Sequence, residues 1–242
     1  EHVAGKSDAG IQKYVTWIGR FVLMFGMAGI FISAHRWGER GKFVAVVLDV
    51  GQGDGIFMRG PEGGTYLVDG GSSDVKKTGQ YRIEPFIKSQ GVGVLDYVLI
   101  SHGDSDHING VEELIERQDI GVKIGTLVLP VQEVWDEALK GLAEKAKEYG
   151  IRVNVIEPGQ SIMEGDMAVT CIQPENPGTE AENGEAEGRD VEKGYEPGNV
   201  ASMVLAVKFG KFDMMLTGDA EEEGEEQLTK QLEERYRNCT WE

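Results

Sequence analysis

Apolar residues fall along this chain in three patterns. From Trp17 to Ala34 they form one run, WIGRFVLMFGMAGIFISA, apolar except for Arg20. The run is apolar all round rather than on one face, and a bilayer span needs about 20 such residues. It predicts a transmembrane helix over residues 15–36, with Arg20 snorkelling near one end and Tyr14, Trp17 and Trp37 at interfacial depth. A buried helix is the alternative. A membrane-proximal segment over 1–41 and a folded domain over 42–242 follow from this division.

The second pattern is of short β-rich runs closed by glycine: Phe43–Val50 before GQGDG, Ile56–Met58, Thr65–Asp69 before Gly70-Gly71, and Leu95–Ile100. Helical patterns then alternate with strands. Helices are expected over Ile83–Gln90, from an Asn109 cap through Glu116, and over Glu133–Tyr149. Strands are expected at Thr126–Leu129, Val153–Ile156 and Ala168–Ile172. The third pattern is a near absence: residues 174–198 are acidic, glycine-rich and short of apolar side chains, as in a surface insertion. Order resumes at Ala201–Phe209 and Phe212–Leu216, followed by Thr217-Gly-Asp219 and an acidic helix. Hairpins first and alternation later describe an α/β fold, with sheets covered by helices on the outside.

Composition changes this picture in few places. A hydrophobic content of 40% over 242 residues is enough for a core, which excludes wholesale disorder. The formal net charge of −18 argues against non-specific adhesion to nucleic acid. Much of that charge is local, in 175–196 and 221–234, so it says little about any one face. Cys171 and Cys239 permit at most one disulfide and read as ordinary thiols. The chain opens on Glu-His-Val and ends on Trp241-Glu242, which we read as a piece of something longer.

The candidate chemistry is concentrated in Ser101-His-Gly-Asp-Ser-Asp-His107, between a buried-looking strand and a helix. Two imidazoles and two carboxylates this close perturb one another strongly unless they are solvated or share a cation. His102, Asp104, Asp106 and His107 are therefore candidate ligands of one or two divalent metal ions. Carboxylate-rich sites favour manganese and histidine-rich ones zinc, and the ligand types here place manganese first and zinc second. Met214–Asp219 ends a strand in Gly-Asp, where Asp219 could bridge two cations, although such a turn alone is a weak signal. Asp69 is either a turn residue or a hydrogen-bonding support for a ligand loop. Gln52 and Asp54 read first as hairpin-turn residues, and Asn199 and Ser202 as the start of a strand.

Together these motifs resemble the metallo-β-lactamase domain of ComEC-type DNA internalisation proteins, the competence channels of bacteria. The matching pieces are DVGQGDG (49–55), LVDGG (67–71), LDYVLISHGDSDHINGV (95–111), NVASMVLAV (199–207) and MLTGD (215–219), in that family's order. The resemblance covers the chain from Phe43 onward. It implies an αββα sandwich, truncated at its C-terminal end, with His102, Asp104, Asp106, His107 and Asp219 as metal ligands. It also implies substrate contacts from Gln52, Asp54, Asn199 and Ser202, with Asp69 supporting the ligand loop. Asp106, assisted by His102 and Asp104, would orient or deprotonate a water for hydrolysis of single-stranded DNA. The domain would lie on the outer side of the cytoplasmic membrane, after an upstream channel region. Two departures stand out: no histidine lies between His107 and Asp219, and no His-His-Gly-Ser segment follows Asp219. Gly55 also replaces the serine or alanine common after GQGD. Two other readings stay open: hydrolysis of a small ester, lactone or lactam, and a non-catalytic, membrane-tethered domain binding nucleic acid or a partner.

Overall fold

Alternation along the strands sorts apolar side chains onto two faces, and each face builds its own core. The structure, a computed structural model, describes residues 4–38, 40–174, 201–221 and 223–236. The acidic insertion expected over 174–198, Asn199 and Cys239 thus lie outside the described residues, Pro174 excepted. Two compact units divide the chain, Glu1–Lys42 and Phe43–Glu242.

The first unit holds helix α1, Ala4–Gly38. Among the described residues no helix is long and apolar enough to cross a membrane. The span expected over 15–36 is thus not found among them, and the side chains of its last part, 31–36, lie outside the described residues.

In the second unit the described residues form two sheets. Strands β1 (Val44–Val47), β2 (Ile56–Arg59), β3 (Thr65–Val68), β4 (Val94–Leu99), β5 (Lys123–Leu129) and β6 (Arg152–Val155) lie side by side in that order. The pairs β1–β2 and β2–β3 are antiparallel, and β3 through β6 run parallel. The second sheet has the order β10-β9-β8-β7, from β7 (Ser161–Glu164), β8 (Met167–Gln173), β9 (Val204–Phe209) and β10 (Phe212–Leu216), all antiparallel. Helices α2 (Glu84–Ser89), α3 (Ser105–Glu116) and α4 (Glu137–Glu148) belong to the first sheet's connections, and α5 (Glu223–Tyr236) follows β10.

Phe57, Leu67, Val98, Leu127 and Leu129 point to one face of the first sheet and pack with Val111, Leu114, Ile115 and Leu142 of the helices. Met58, Tyr66, Val68, Leu99 and Val128 point to the other face and meet Met167, Val169, Leu205 and Val207 of the second sheet. Leu228 of α5 covers Ile172 and Val204 on that sheet's outer side. The layers are therefore helix, sheet, sheet, helix, as the alternation implies. Residues between adjacent parallel strands are buried on both sides, which explains the continuous apolar run Tyr97–Ile100.

Three local expectations are corrected. Helix α3 begins at Ser105 with Asp104 as its N-cap, so Asn109 lies inside it. The Asn109 amide has a different task, holding Ser72: Oδ1 accepts from Ser72 N and Nδ2 donates to Ser72 O. The helix expected over Glu133–Tyr149 is broken into a 3-10 turn, Gln132–Val134, and α4, because Asp136 caps the second piece by accepting from Leu139 N at 2.8 Å. Strand β7 escaped the pattern because its four residues, SIME, expose every second side chain and carry a glutamate.

Candidate metal centre

Parallel strands deliver their turns to one sheet edge, and here two adjacent turns meet. Asp69 leaves β3 and Ser101 and His102 leave β4, with Asp69 N donating to Leu99 O. The second sheet reaches the same place from across the sandwich: Met203 N donates to Ser101 O at 2.8 Å. The turn after β10 docks there as well. A side chain at Gly218, which has φ +53°, would place its Cβ 2.8 Å from Ser101 Cβ, so glycine is needed for the turn to approach.

Asp69 organises the inner side of this meeting point. It holds left-handed backbone at φ 54°, conformational strain of a kind that surrounding structure must over-determine. Its carboxylate supplies that constraint: Oδ1 accepts from Ser101 N at 2.8 Å, and Oδ2 accepts from Ser101 Oγ at 2.7 Å. His107 Nδ1 donates to the same Oδ2 at 3.1 Å. Ser101 Oγ lies 2.9 Å from His102 Nδ1 and, with its own proton given to Asp69, accepts from that nitrogen. One buried carboxylate thereby sets both rings, His107 directly and His102 through a serine hydroxyl. In both, Nδ1 carries a proton and Nε2 is turned the other way.

That other way is toward acids. His102 Nε2 lies 3.5 Å from Asp104 Oδ2, and His107 Nε2 lies 3.4 Å from Asp219 Oδ1. One donor atom each of His102, His107 and Asp219 falls within 4.8 Å of the others. A second group of the same compactness joins Asp54, Asp69 and His107. His102 Nε2 is buried and has no hydrogen-bond partner among the described residues. An orphaned buried nitrogen is costly. Nearby carboxylates and a second Nε2 close by make a donor set that fits a divalent cation, which would take up that lone pair.

Charge and burial act in opposite directions on these groups. For His107, burial pushes the pKa down, but the hydrogen bond to Asp69 and the charges of Asp69, Asp219 and Asp54 outweigh it and raise the value to about 9. For Asp54, burial raises the carboxyl above its ordinary range, assisted by Asp69 and Asp219 and opposed by the two imidazoles.

Of the residues expected at the site, His102, His107 and Asp219 are brought together, and Asp104 adjoins His102. Asp106 occupies the first turn of α3 and belongs to neither compact group. Its backbone oxygen accepts from Asp54 N. Asp54 and Asp69 adjoin His107, and Gln52 is exposed on the Gly51–Gly55 loop. Ser202 is buried, and its hydroxyl has no partner among the described residues. Outside these compact groups, Arg82 pairs with Asp49 and Lys88 with Glu84. Ser101 was missed as a functional residue. A serine before a histidine carries no distinguishing signal until Asp69 is seen beside it.

A model of the metallo-beta-lactamase superfamily matches residues 48–238. ComE operon protein 3 of Bacillus subtilis (strain 168) is 27% identical over 195 residues, covering 75% of this chain and 23% of that protein. The chain thus spans about a quarter of that relative's length. Among solved structures, the metallo-beta-lactamase fold protein YhfI from Bacillus subtilis is 16% identical with a TM-score of 0.43, covering 69% of this chain and 55% of that one. MEM-A1, a subclass B3 metallo-beta-lactamase isolated from a soil metagenome library, is 16% identical with a TM-score of 0.44, covering 80% and 72%.

Proposed function

The chain belongs to the metallo-β-lactamase superfamily, and from that premise we propose that it is a metal-dependent phosphodiesterase that degrades DNA during competence-linked uptake. The observation that carries the metal-dependent part is the common orientation of the two histidines. Both Nδ1 atoms are spent on the Asp69–Ser101 pair, and both Nε2 atoms face carboxylates. DNA as substrate is supported by the motif resemblance to ComEC-type proteins and the likeness to ComE operon protein 3. The same resemblance supports a place on the outer side of the cytoplasmic membrane.

His102, His107, Asp104, Asp106 and Asp219 would hold one or two cations. Three carboxylates against two imidazoles favour manganese, with zinc second. When bound, the cation supplies Lewis-acid polarisation of a phosphoryl oxygen and brings the pKa of water down to about 7. The protein's own part is to orient and to exchange protons. Asp69 and Ser101 keep both rings in the Nδ1–H form, so that neither must turn or change tautomer. Asp106, one residue before His107, orients the attacking water and accepts its proton. Gln52 on its exposed loop contacts the nucleic-acid backbone, and Asn199 and Ser202 offer further donors to a phosphate. Cations in the centre also offset the repulsion between phosphates and a protein of net charge −18.

The test is cleavage of labelled single-stranded DNA with manganese, by the chain and by His102→Ala and Asp106→Ala. The proposal expects cleavage that a chelator abolishes and that falls by at least about a hundredfold in both variants. Cleavage that survives in both would place the chemistry elsewhere. Inert DNA with turnover of a lactone or lactam would replace the substrate.

A further inference from the structure

The loop Gly51–Gly55 reads in the sequence as a hairpin turn, and its backbone does that work: Leu48 N donates to Gly55 O at 2.8 Å. The loop also docks on two neighbours. Asp54 N donates to Asp106 O at 3.3 Å, and Gly71 N donates to Asp54 O at 3.0 Å. Asp54 is thereby pinned between the turn after β3 and the first turn of α3. Any Cβ at Gly71 would overlap the Asp106 carbonyl group, so the three segments close up only with glycine there.

Pinning the backbone leaves the Asp54 carboxylate without a turn to stabilise, and no hydrogen bond among the described residues reaches it. One of its oxygens lies within 4.8 Å of a carboxylate oxygen of Asp69 and a ring nitrogen of His107, and the charges of Asp219 and His102 also act on it. Asp69 cannot adjust to a neighbouring negative charge, because Ser101 and His107 occupy both its oxygens. A half-buried carboxylate beside a buried one is unfavourable unless positive charge lies between or beside them. His107 contributes to that charge only when protonated, and His102 Nε2, in the group with His107 and Asp219, is buried with no hydrogen-bond partner among the described residues.

We propose that Asp54 is a metal-binding carboxylate of this centre, delivered from the loop between β1 and β2. The ligand set then draws on three separate chain segments: the Gly51–Gly55 loop, the Ser101–His107 segment and the turn after β10. A further oxygen donor shifts the centre toward cations that prefer oxygen, manganese before zinc. The assignment rests on the metal centre proposed above and does not depend on DNA being the substrate.

Metal titration tests it without recourse to activity. The full chain, stripped of metal, is titrated with manganese by calorimetry and with cobalt(II), whose visible spectrum reports its ligands, beside Asp54→Asn. The expected result is manganese affinity lowered at least about tenfold, or one equivalent lost, with an altered cobalt spectrum. Unaltered melting of the metal-free variant separates this from damage to the fold. If Asp54→Asn does not fold, Asp54→Glu keeps the charge, moves the oxygens by one methylene, and is expected to change the cobalt spectrum. Affinity, stoichiometry and spectrum all matching the unaltered chain would overturn the assignment. Uptake of no metal by the unaltered chain would overturn the centre itself and Asp54 with it. Metal uptake without DNA cleavage would leave Asp54 in place and remove only the nuclease.

Discussion

The centre has two sides built on opposite principles. Its inner wall, Asp69, Ser101, His102 and His107, is closed to solvent, with no member more than 2% exposed. Its rim is open: the side chains of Asp104 and Asp219 are 51% and 41% exposed. On the wall, every Nδ1 and hydroxyl is committed to a partner within the protein. On the rim, carboxylates stand near Nε2 atoms at 3.4 to 3.5 Å without closing on them. Burying an ionised aspartate against imidazole is costly in solvation and is tolerated only with full hydrogen bonding, which Asp69 has. The wall thus fixes tautomer and orientation before any ligand arrives. The rim keeps its charge in water, where holding several acids together costs little. Substitutions on the wall should therefore damage fold and centre together, and those on the rim the centre alone.

The largest effect that could break this division is expected at Asp69. Asp69→Ala strands the Ser101 amide, the Ser101 hydroxyl and His107 Nδ1, and should cost about 3–5 kcal/mol in urea unfolding, as for other broken buried pairs. A loss under about 1 kcal/mol would mean the wall is not held by Asp69. Next is Gly71→Ala, whose Cβ would overlap the Asp106 carbonyl. It should cost about 2 kcal/mol and weaken metal uptake with it, as calorimetry and denaturation would show together.

A smaller effect follows pH in the metal-free chain. The His107 pKa in the folded protein, about 9, stands above its ordinary 6.5, so the folded state holds the proton more tightly. Its contribution to stability is full below pH 6.5 and drains away as pH rises toward 9. The melting temperature should fall across that window, and His107→Gln should flatten the fall. The smallest stability effect is expected on the rim. Asp219→Asn should change unfolding by less than about 0.5 kcal/mol while weakening metal binding. Equal damage to both would erase the distinction between rim and wall.

Legibility in the sequence follows the same line between local and distant. Leu95–Ile100 running into His102 and Asp104 was readable because a buried parallel strand, its turn and the next helix are consecutive. The layering was readable from alternation, as at Leu67 against Tyr66 and Val68. The role of Ser101 was not, since it depends on Asp69, 32 residues earlier, in the turn that follows the neighbouring strand. Asp54 read as a turn residue for the same reason: what distinguishes it is its contact with Gly71 and Asp106, made through space. The α3 start was misplaced because Asn109 is a good capping residue in isolation, while its amide is needed by Ser72. The membrane span rested on composition over a run whose end lies outside the described side chains.

The central claim, that one buried carboxylate presents two Nε2 atoms to the rim, is tested most directly by long-range proton–nitrogen NMR of the histidine rings. Zinc serves as the diamagnetic cation, and His102→Gln and His107→Gln assign the signals. The account predicts that both rings carry their proton on Nδ1 in the zinc-loaded chain and that both Nε2 signals move to metal-bound positions. A proton retained on Nε2 of either ring, or rings indifferent to zinc, would contradict it.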